Sequence, residues 1–328
     1  MSYARLFQYS GRIAAVICAI LFSFTAKAQT GFASITGTVV DPTGAAVAKA
    51  NVKAVNRDTG VSVAASTDES GVYNILSLLP GTYQVLVAQT GFENASVENV
   101  ILSASQTASV NIVLKVGKAS ETITVSAETS LLTTTTQMEA TTVNREIAAD
   151  LPYPERSTLG ASLLIAGVIG NPFDGANGVD SENPGVYTGY VVPGAQLGIG
   201  GAPPGRSVIL VDGSDVTQAS LPRAGISVSG EMVQEMTVVV GGIPAQYGRT
   251  MGGAVIQASR GGTNDFHGGL SWRHTDPGLN AYPDGGNTKS QNHQNFFGIY
   301  AGGPVVLPKI YHGRNRTFFY VGVEPGRL

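Results

Sequence analysis

Four histidines, one cysteine and a thin scatter of carboxylates are the residues from which this 328-residue chain would have to build catalysis or a metal centre. His267, His274, His293 and His312 make no i, i+4 pair and stand beside no carboxylate cluster, so no metal site is expected. Neither a His-x-x-Glu nor a His-Glu-x-x-His run occurs. Asp212 is followed by Gly213, a pair that turns hairpins, and reads as turn chemistry rather than as a catalytic carboxylate. Gly198-Ile199-Gly200-Gly201-Ala202 has no strand before it or helix after it, which rejects a nucleotide loop. With no nucleophile–base constellation, neither an enzyme nor a bound cofactor is expected.

The chemistry that remains is recognition. Glu121, Thr122, Ile123, Thr124 and Val125 form a short β-branched run between flexible neighbours. Such a strand can donate its main chain to the edge of another protein's sheet. The spacing alone favours a plainer role, as a last strand of the preceding domain or a linker strand.

The elements around these residues are β-rich. Charged residues make up 13% and apolar ones 43%, with 42 glycines and a net charge of −3. That composition can bury a core and carries no basic surplus, so disorder and nucleic-acid binding are both excluded. At the front, Arg5 and Arg12 precede an apolar stretch from Ile13 to Phe24, and Ala26-Lys27-Ala28 fits a cleavage site before Gln29. Residues 1–28 are therefore expected to be an export signal cut between Ala28 and Gln29. Its removal would take away Cys18, the only thiol, and three positive charges, moving the charge from −3 to −6.

Residues 32–116 alternate in period two, with turn residues at short intervals, as in a small β-sandwich. Ile35-Thr36-Gly37-Thr38-Val39-Val40-Asp41, Thr67-Asp68, Gly71-Val72-Tyr73 and Leu79-Pro80-Gly81-Thr82-Tyr83 mark its strands and turns, and Val52, Ala54, Val61 and Val63 continue the pattern. These words resemble the carboxypeptidase regulatory-like domain, which implies a transthyretin-like sandwich, often grouped with carbohydrate-binding folds. Phe92 is the main candidate for stacking on a sugar, although a single aromatic more often packs.

Beyond it, residues 117–129 read as a linker. Here Glu121 to Ala127 resembles the TonB box of outer-membrane receptors, which implies capture by the periplasmic protein TonB with its inner-membrane energising complex. From 130 to 263 the expected elements are short helices at Val143–Ile147 and Ser157–Gly167, an extended loop from Asn171 to Pro204, and strands at Ser207–Val211, Val233–Val240 and Gly252–Ala258. In their order, Ile209-Leu210-Val211-Asp212-Gly213, Val233-Gln234-Glu235-Met236-Thr237-Val238, Ala245-Gln246-Tyr247-Gly248-Arg249 and Gly252-Gly253-Ala254-Val255-Ile256 resemble the receptor plug, in detail its Oar-like branch. The resemblance implies a plug motif at Asp212, Gly213, Glu235, Tyr247, Gly248, Arg249, Gly252 and Gly253. A plug pairs polar groups with the interior wall of its barrel, and Glu235 and Arg249 are the candidates for those pairs.

In 264–328, Phe266, Gly268, Leu270 and Trp272 share one face of an alternating strand, and Phe297, Ile299 and Phe319 are further candidates for a lipid side. The 65 residues after position 263 fit three strands with their loops, against about 22 in the barrels of such receptors. The expected fold is thus mainly β: a transthyretin-like sandwich, an α+β plug, and the first strands of an incomplete or truncated outer-membrane β-barrel. The expected role is that of the N-terminal part of a TonB-dependent transporter, gating uptake of an unidentified small ligand, carbohydrate among the candidates. An exported sandwich that binds carbohydrate or a protein partner is the competing reading.

Overall fold

The structure is a computed structural model that describes residues 33–117, 122–125, 138–145, 147, 158–171, 196–203, 205–217, 225–226, 228–245, 247–276, 278, 294–324 and 326–327. The expected signal with Ala28 and Gln29, and Glu121 of the linker, lie outside them. The described chain is mainly β, with helix confined to two 3-10 turns and a helical turn at Arg145 and Ile147.

The first unit contains β1 (Ala33–Val40), β2 (Asn51–Asn56), β3 (Ser62–Ser66), β4 (Val72–Leu78), β5 (Gly81–Ala88), β6 (Asn94–Leu102), β7 (Thr107–Ser109), β8 (Ile112–Val113) and β9 (Thr122–Val125). One sheet runs β4-β1-β7, with β8 also on β1, and the other runs β3-β2-β5-β6-β9. Strict alternation buries Ala33, Ile35 and Val39 of β1 and Tyr83, Val85 and Val87 of β5. These residues close one shared core with Val52, Ala54, Ile75, Val97, Val100 and Leu114. Each fully buried aliphatic contributes about 1.5–3 kcal/mol, so this core carries the unit.

The turns follow local side-chain chemistry. Asp41 accepts hydrogen bonds from Thr43 N, Thr43 Oγ1 and Ala45 N at 2.8, 2.7 and 2.9 Å. The Thr43 hydroxyl, then the Ala45 N–H, hold its carboxyl below the usual aspartate range. Asp68 accepts from Ser70 N and Val72 N in the same manner. Val61 and Val63, two positions apart, are both exposed. They sit in or beside β3, an outer strand that pairs only with β2 among the described residues, and of that strand Ala65 is the residue that packs against the core.

The middle unit is a five-stranded sheet in the order β10 (Glu139–Asn144), β15 (Val233–Gly241), β16 (Ala254–Ser259), β13 (Val208–Val211), β14 (Ser214–Asp215). Strands β13 and β16 are parallel and the other pairs antiparallel. Its central strands are buried on both faces, which explains their near-continuous apolar sequences. One face packs on the 3-10 turn Thr158–Leu164 and on the ribbon of β11 (Val168–Asn171) with β12 (Gln196–Ile199). The opposite face carries Val208, Leu210, Val239 and Ile256, and against it lies Ala104 from the first unit.

Two local expectations need correction here. Val143 and Asn144 end β10 instead of starting a helix, because Thr141, Thr142 and Val143 are β-branched and Thr142 Oγ1 meets Thr237 Oγ1 at 2.9 Å. Helix begins only after Asn144, whose Oδ1 caps it by accepting from Ile147 N at 3.0 Å. The stretch read as loop from Asn171 to Pro204 contains β12; its residues 172–195 lie outside the described ones.

The third unit is an antiparallel meander of β17 (His267–Thr275), β18 (Gln294–Pro304) and β21 (Phe318–Val323). A small hairpin of β19 (Val306–Leu307) and β20 (Tyr311–His312) interrupts it, and β22 (Gly326–Arg327) returns to β18.

Candidate functional site: edge strand, middle sheet and two-faced third sheet

Strand β9 holds the candidate partner-contact residues Thr122, Ile123, Thr124 and Val125. It lies at the edge of the sandwich sheet, parallel to β6, with the register Asn94 to Thr122, Ala95 to Ile123, Ser96 to Thr124 and Val97 to Val125. Among the described residues β6 is its only strand partner. The chain is led there by Glu93 N donating to Lys115 O at 2.9 Å and by the bridge of Phe92 with Val116. Phe92 itself is partly buried against the sandwich core, a packing position rather than an exposed sugar platform.

The motif residues of the middle sheet divide by what they touch. Asp212 and Gly213 have φ of 48° and 77°, the two positive values that a tight β13–β14 hairpin requires. Asp212 Oδ1 also accepts from Ser259 N at 2.7 Å, tying the hairpin to β16. Gly252 and Gly253 admit the end of β12: a Cβ on Gly253 would stand 2.5 Å from Ile199 Cβ and 2.6 Å from Val239 O, and one on Gly252 would overlap Ala202 and Ile199 O. The Gly198–Ala202 run, rejected as a nucleotide loop, is the other half of that approach. Tyr247 is partly buried against the second face of the sheet, and Gly248 stands in open space.

The two charges expected to meet a surrounding wall have these neighbours within the chain. Arg249 is 77% exposed and lies 3.8 Å from Asp215 of the neighbouring hairpin. Glu235 faces the sandwich, where its carboxylate accepts from the N–H of Ala104. Burial pushes this carboxyl above the usual glutamate range, while the hydrogen bonds from Ala104 and Ser103 pull it back.

Contacts with the third sheet are made by residues that sequence reasoning missed. Arg260, just beyond β16, lies over the rings of Tyr300 and Tyr320 at 5.5 and 5.2 Å. Arg145 stands 5.9 Å from the Tyr300 ring and 3.6 Å from Glu231. Tyr320 donates to Glu231 O at 2.8 Å and receives Arg260 Nη1 at 3.1 Å. Cation–π contacts of this kind contribute about 0.5–2 kcal/mol each, more as water is excluded. Their signal was available only as pairs of Arg and Tyr far apart in sequence.

The opposite face of the third sheet is apolar and bare. Leu270, Ile299, Val321 and Val323 form its middle, exposed by 81, 60, 56 and 59%. Two aromatic pairs bracket them: Phe266 with Phe319 at 6.4 Å, and Trp272 with Phe297 at 6.2 Å with ring planes almost parallel. Trp272 lies six residue steps beyond Phe266 along the extended chain, a distance of about 20 Å. Among the described residues no helix is long and apolar enough to cross a membrane, and no group of three or more His, Cys, Asp or Glu could hold a metal.

Residues 34–115 match the carboxypeptidase regulatory-like domain, and residues 258–328 match the outer membrane beta barrel domain. The TonB-dependent transporter Oar of Myxococcus xanthus is 23% identical over 94% of this chain. The chain spans 28% of the length of that relative. Among solved structures, the siderophore receptor PirA from Acinetobacter baumannii is 22% identical, with 56% of this chain and 24% of that one covered at a TM-score of 0.38. A putative carbohydrate binding protein from Bacteroides uniformis ATCC 8492 is 20% identical, with 25% and 40% covered at a TM-score of 0.22. The chain is thus homologous to the TonB-dependent transporter Oar along nearly its whole length, with a carboxypeptidase regulatory-like domain and an outer membrane beta-barrel domain at the two matched segments.

Proposed function

We propose that this chain serves as the N-terminal part of a TonB-dependent outer-membrane transporter. In this reading the middle sheet is the plug, the third sheet is the start of the barrel wall, and Glu121 to Val125 is the segment that TonB grips. The two-faced third sheet carries the proposal. Its bare aliphatic band between aromatic pairs about 20 Å apart has the form of a lipid-facing surface, for which a band about 25 Å tall with aromatic girdles is usual. Its other face meets the middle sheet through Arg145, Arg260, Tyr300 and Tyr320, as a wall meets what it encloses.

The sandwich sits at the end of the wall where β17 begins. Asn264 N donates to Asp58 O at 2.9 Å, and Asn264 also bonds Asn315 in the loop before β21. That placement supports a sandwich and β9 on the periplasmic side. Plug movement then admits a small ligand of unidentified chemistry, driven through TonB and its energising complex. A pull-down with the periplasmic domain of TonB tests the contact: the parent chain is captured and Ile123→Pro is not, because proline removes a main-chain donor and stiffens the strand. Equal capture of both would remove Glu121 to Val125 from the scheme.

A further inference from the structure

Strand β6 is engaged at both ends. Its first residues, Asn94 to Val97, carry β9 as a parallel neighbour. Its last residue, Leu102, leads into the turn whose Ala104 N–H is accepted by Glu235 of the plug sheet. The strand assigned to TonB is therefore already paired, and the strand that holds it is anchored on the plug.

A main-chain edge has one ladder to give. While β9 is laid against β6, that edge of β9 is closed to any other sheet, and the edge of β6 is protected from stray pairing. The geometry favours return to this place: Lys115 and Gly117 are hydrogen-bonded to Glu93 and Gly91, so the chain leaves the sandwich beside the start of β6. The ladder is also short and parallel, four residues at a sheet edge, which makes it displaceable.

We propose that the edge of β6 is a storage site for Thr122–Val125, which keeps the strand from TonB until it is displaced. The inference rests on the reading of Glu121 to Val125 as the TonB contact and adds the surface with which TonB competes. Release of β9 would free the first residues of β6, whose other end leads into the turn that grips the plug, so strand capture and the sandwich–plug joint share one element.

The register provides the test. Ser96 and Thr124 are opposite one another, and the only native cysteine is Cys18. In the full chain with Cys18→Ser, the double change Ser96→Cys and Thr124→Cys is treated with an oxidant, and the bond is read on a non-reducing gel. A bond should form in the folded chain and not in urea. The bonded chain should be captured by the periplasmic domain of TonB at least about tenfold less, with capture restored by a reductant. Folded protein that forms no bond, or bonded protein captured as well as reduced protein, overturns the proposal; the latter would mean that TonB adds to the free edge of β9. If the reduced chain and the parent chain both escape capture although the bond forms, the TonB reading has failed and the inference falls with it.

Discussion

Gly253 offers a sharp test of how the middle sheet is packed. Its side-chain position is filled by the neighbouring strands: an added methyl would lie 2.6 Å from the carbonyl oxygen of Val239 and 2.5 Å from Ile199 Cβ. Neither obstacle is the free end of a flexible side chain. Val239 belongs to β15, the ladder partner of β16, and Ile199 is fully buried. Overpacking of this kind costs about 1–3 kcal/mol, and a main-chain obstacle argues for the upper part of that range. Against it, Gly→Ala lowers the entropy of the unfolded chain by about 0.4–1 kcal/mol. Gly253→Ala should therefore destabilise the middle unit by about 2 kcal/mol, up to about a 30-fold fall in the folded-to-unfolded ratio. Gly248 is the control, since a methyl there meets nothing within 4 Å. Gly248→Ala should be neutral or slightly stabilising. Pulse proteolysis of the detergent-solubilised chain across a urea series measures both. Equal midpoints for Gly253→Ala and the parent chain, or equal damage from the two alanines, would refute the close approach of β12 to β16.

Glu235 predicts a pH dependence with a definite sign. Burial raises its folded-state value above 4.5, so the folded chain binds this proton more tightly than the unfolded chain. Its contribution is complete below the unfolded value and is lost as pH rises through the raised folded value. Glu235→Gln keeps an acceptor for Ala104 N–H without a charge to desolvate, so its stability relative to the parent should grow from pH 4 to pH 7 in urea melts; a constant difference would contradict the burial. Glu235→Ala should cost about 1–3 kcal/mol by stranding that N–H. On the third sheet, Leu270→Asp with Ile299→Asp should sharply reduce binding to lipid vesicles, whereas His312→Asp in the exposed hairpin should leave it unchanged. Vesicle binding indifferent to all three would argue against a lipid-facing surface.

The alternation in β1, β5 and β17 and the turn chemistry of Asp41, Asp68 and Asp212-Gly213 were readable from sequence, because each depends on neighbours a few residues away. So was the apolar set Phe266, Leu270, Trp272, Phe297, Ile299 and Phe319, since period two assigns every second residue to one face. Even so, periodicity could not say that these would form two aromatic pairs with aliphatics between, which needs the register of β17, β18 and β21. Nor could it say that Val61 and Val63 would be exposed, since that depends on β3 lying at the edge of its sheet.

Tertiary structure alone decided who meets whom across long separations. Glu235 faces Ala104, 131 residues away, and Arg260 meets Tyr320, 60 residues away. Nothing local distinguishes those charges from solvated ones. Likewise, Thr122 to Val125 carries the same β propensity whether it is stored on β6 or given to a partner. Propensity is a property of a residue and its neighbours, whereas pairing depends on which open edge the folded chain brings within reach.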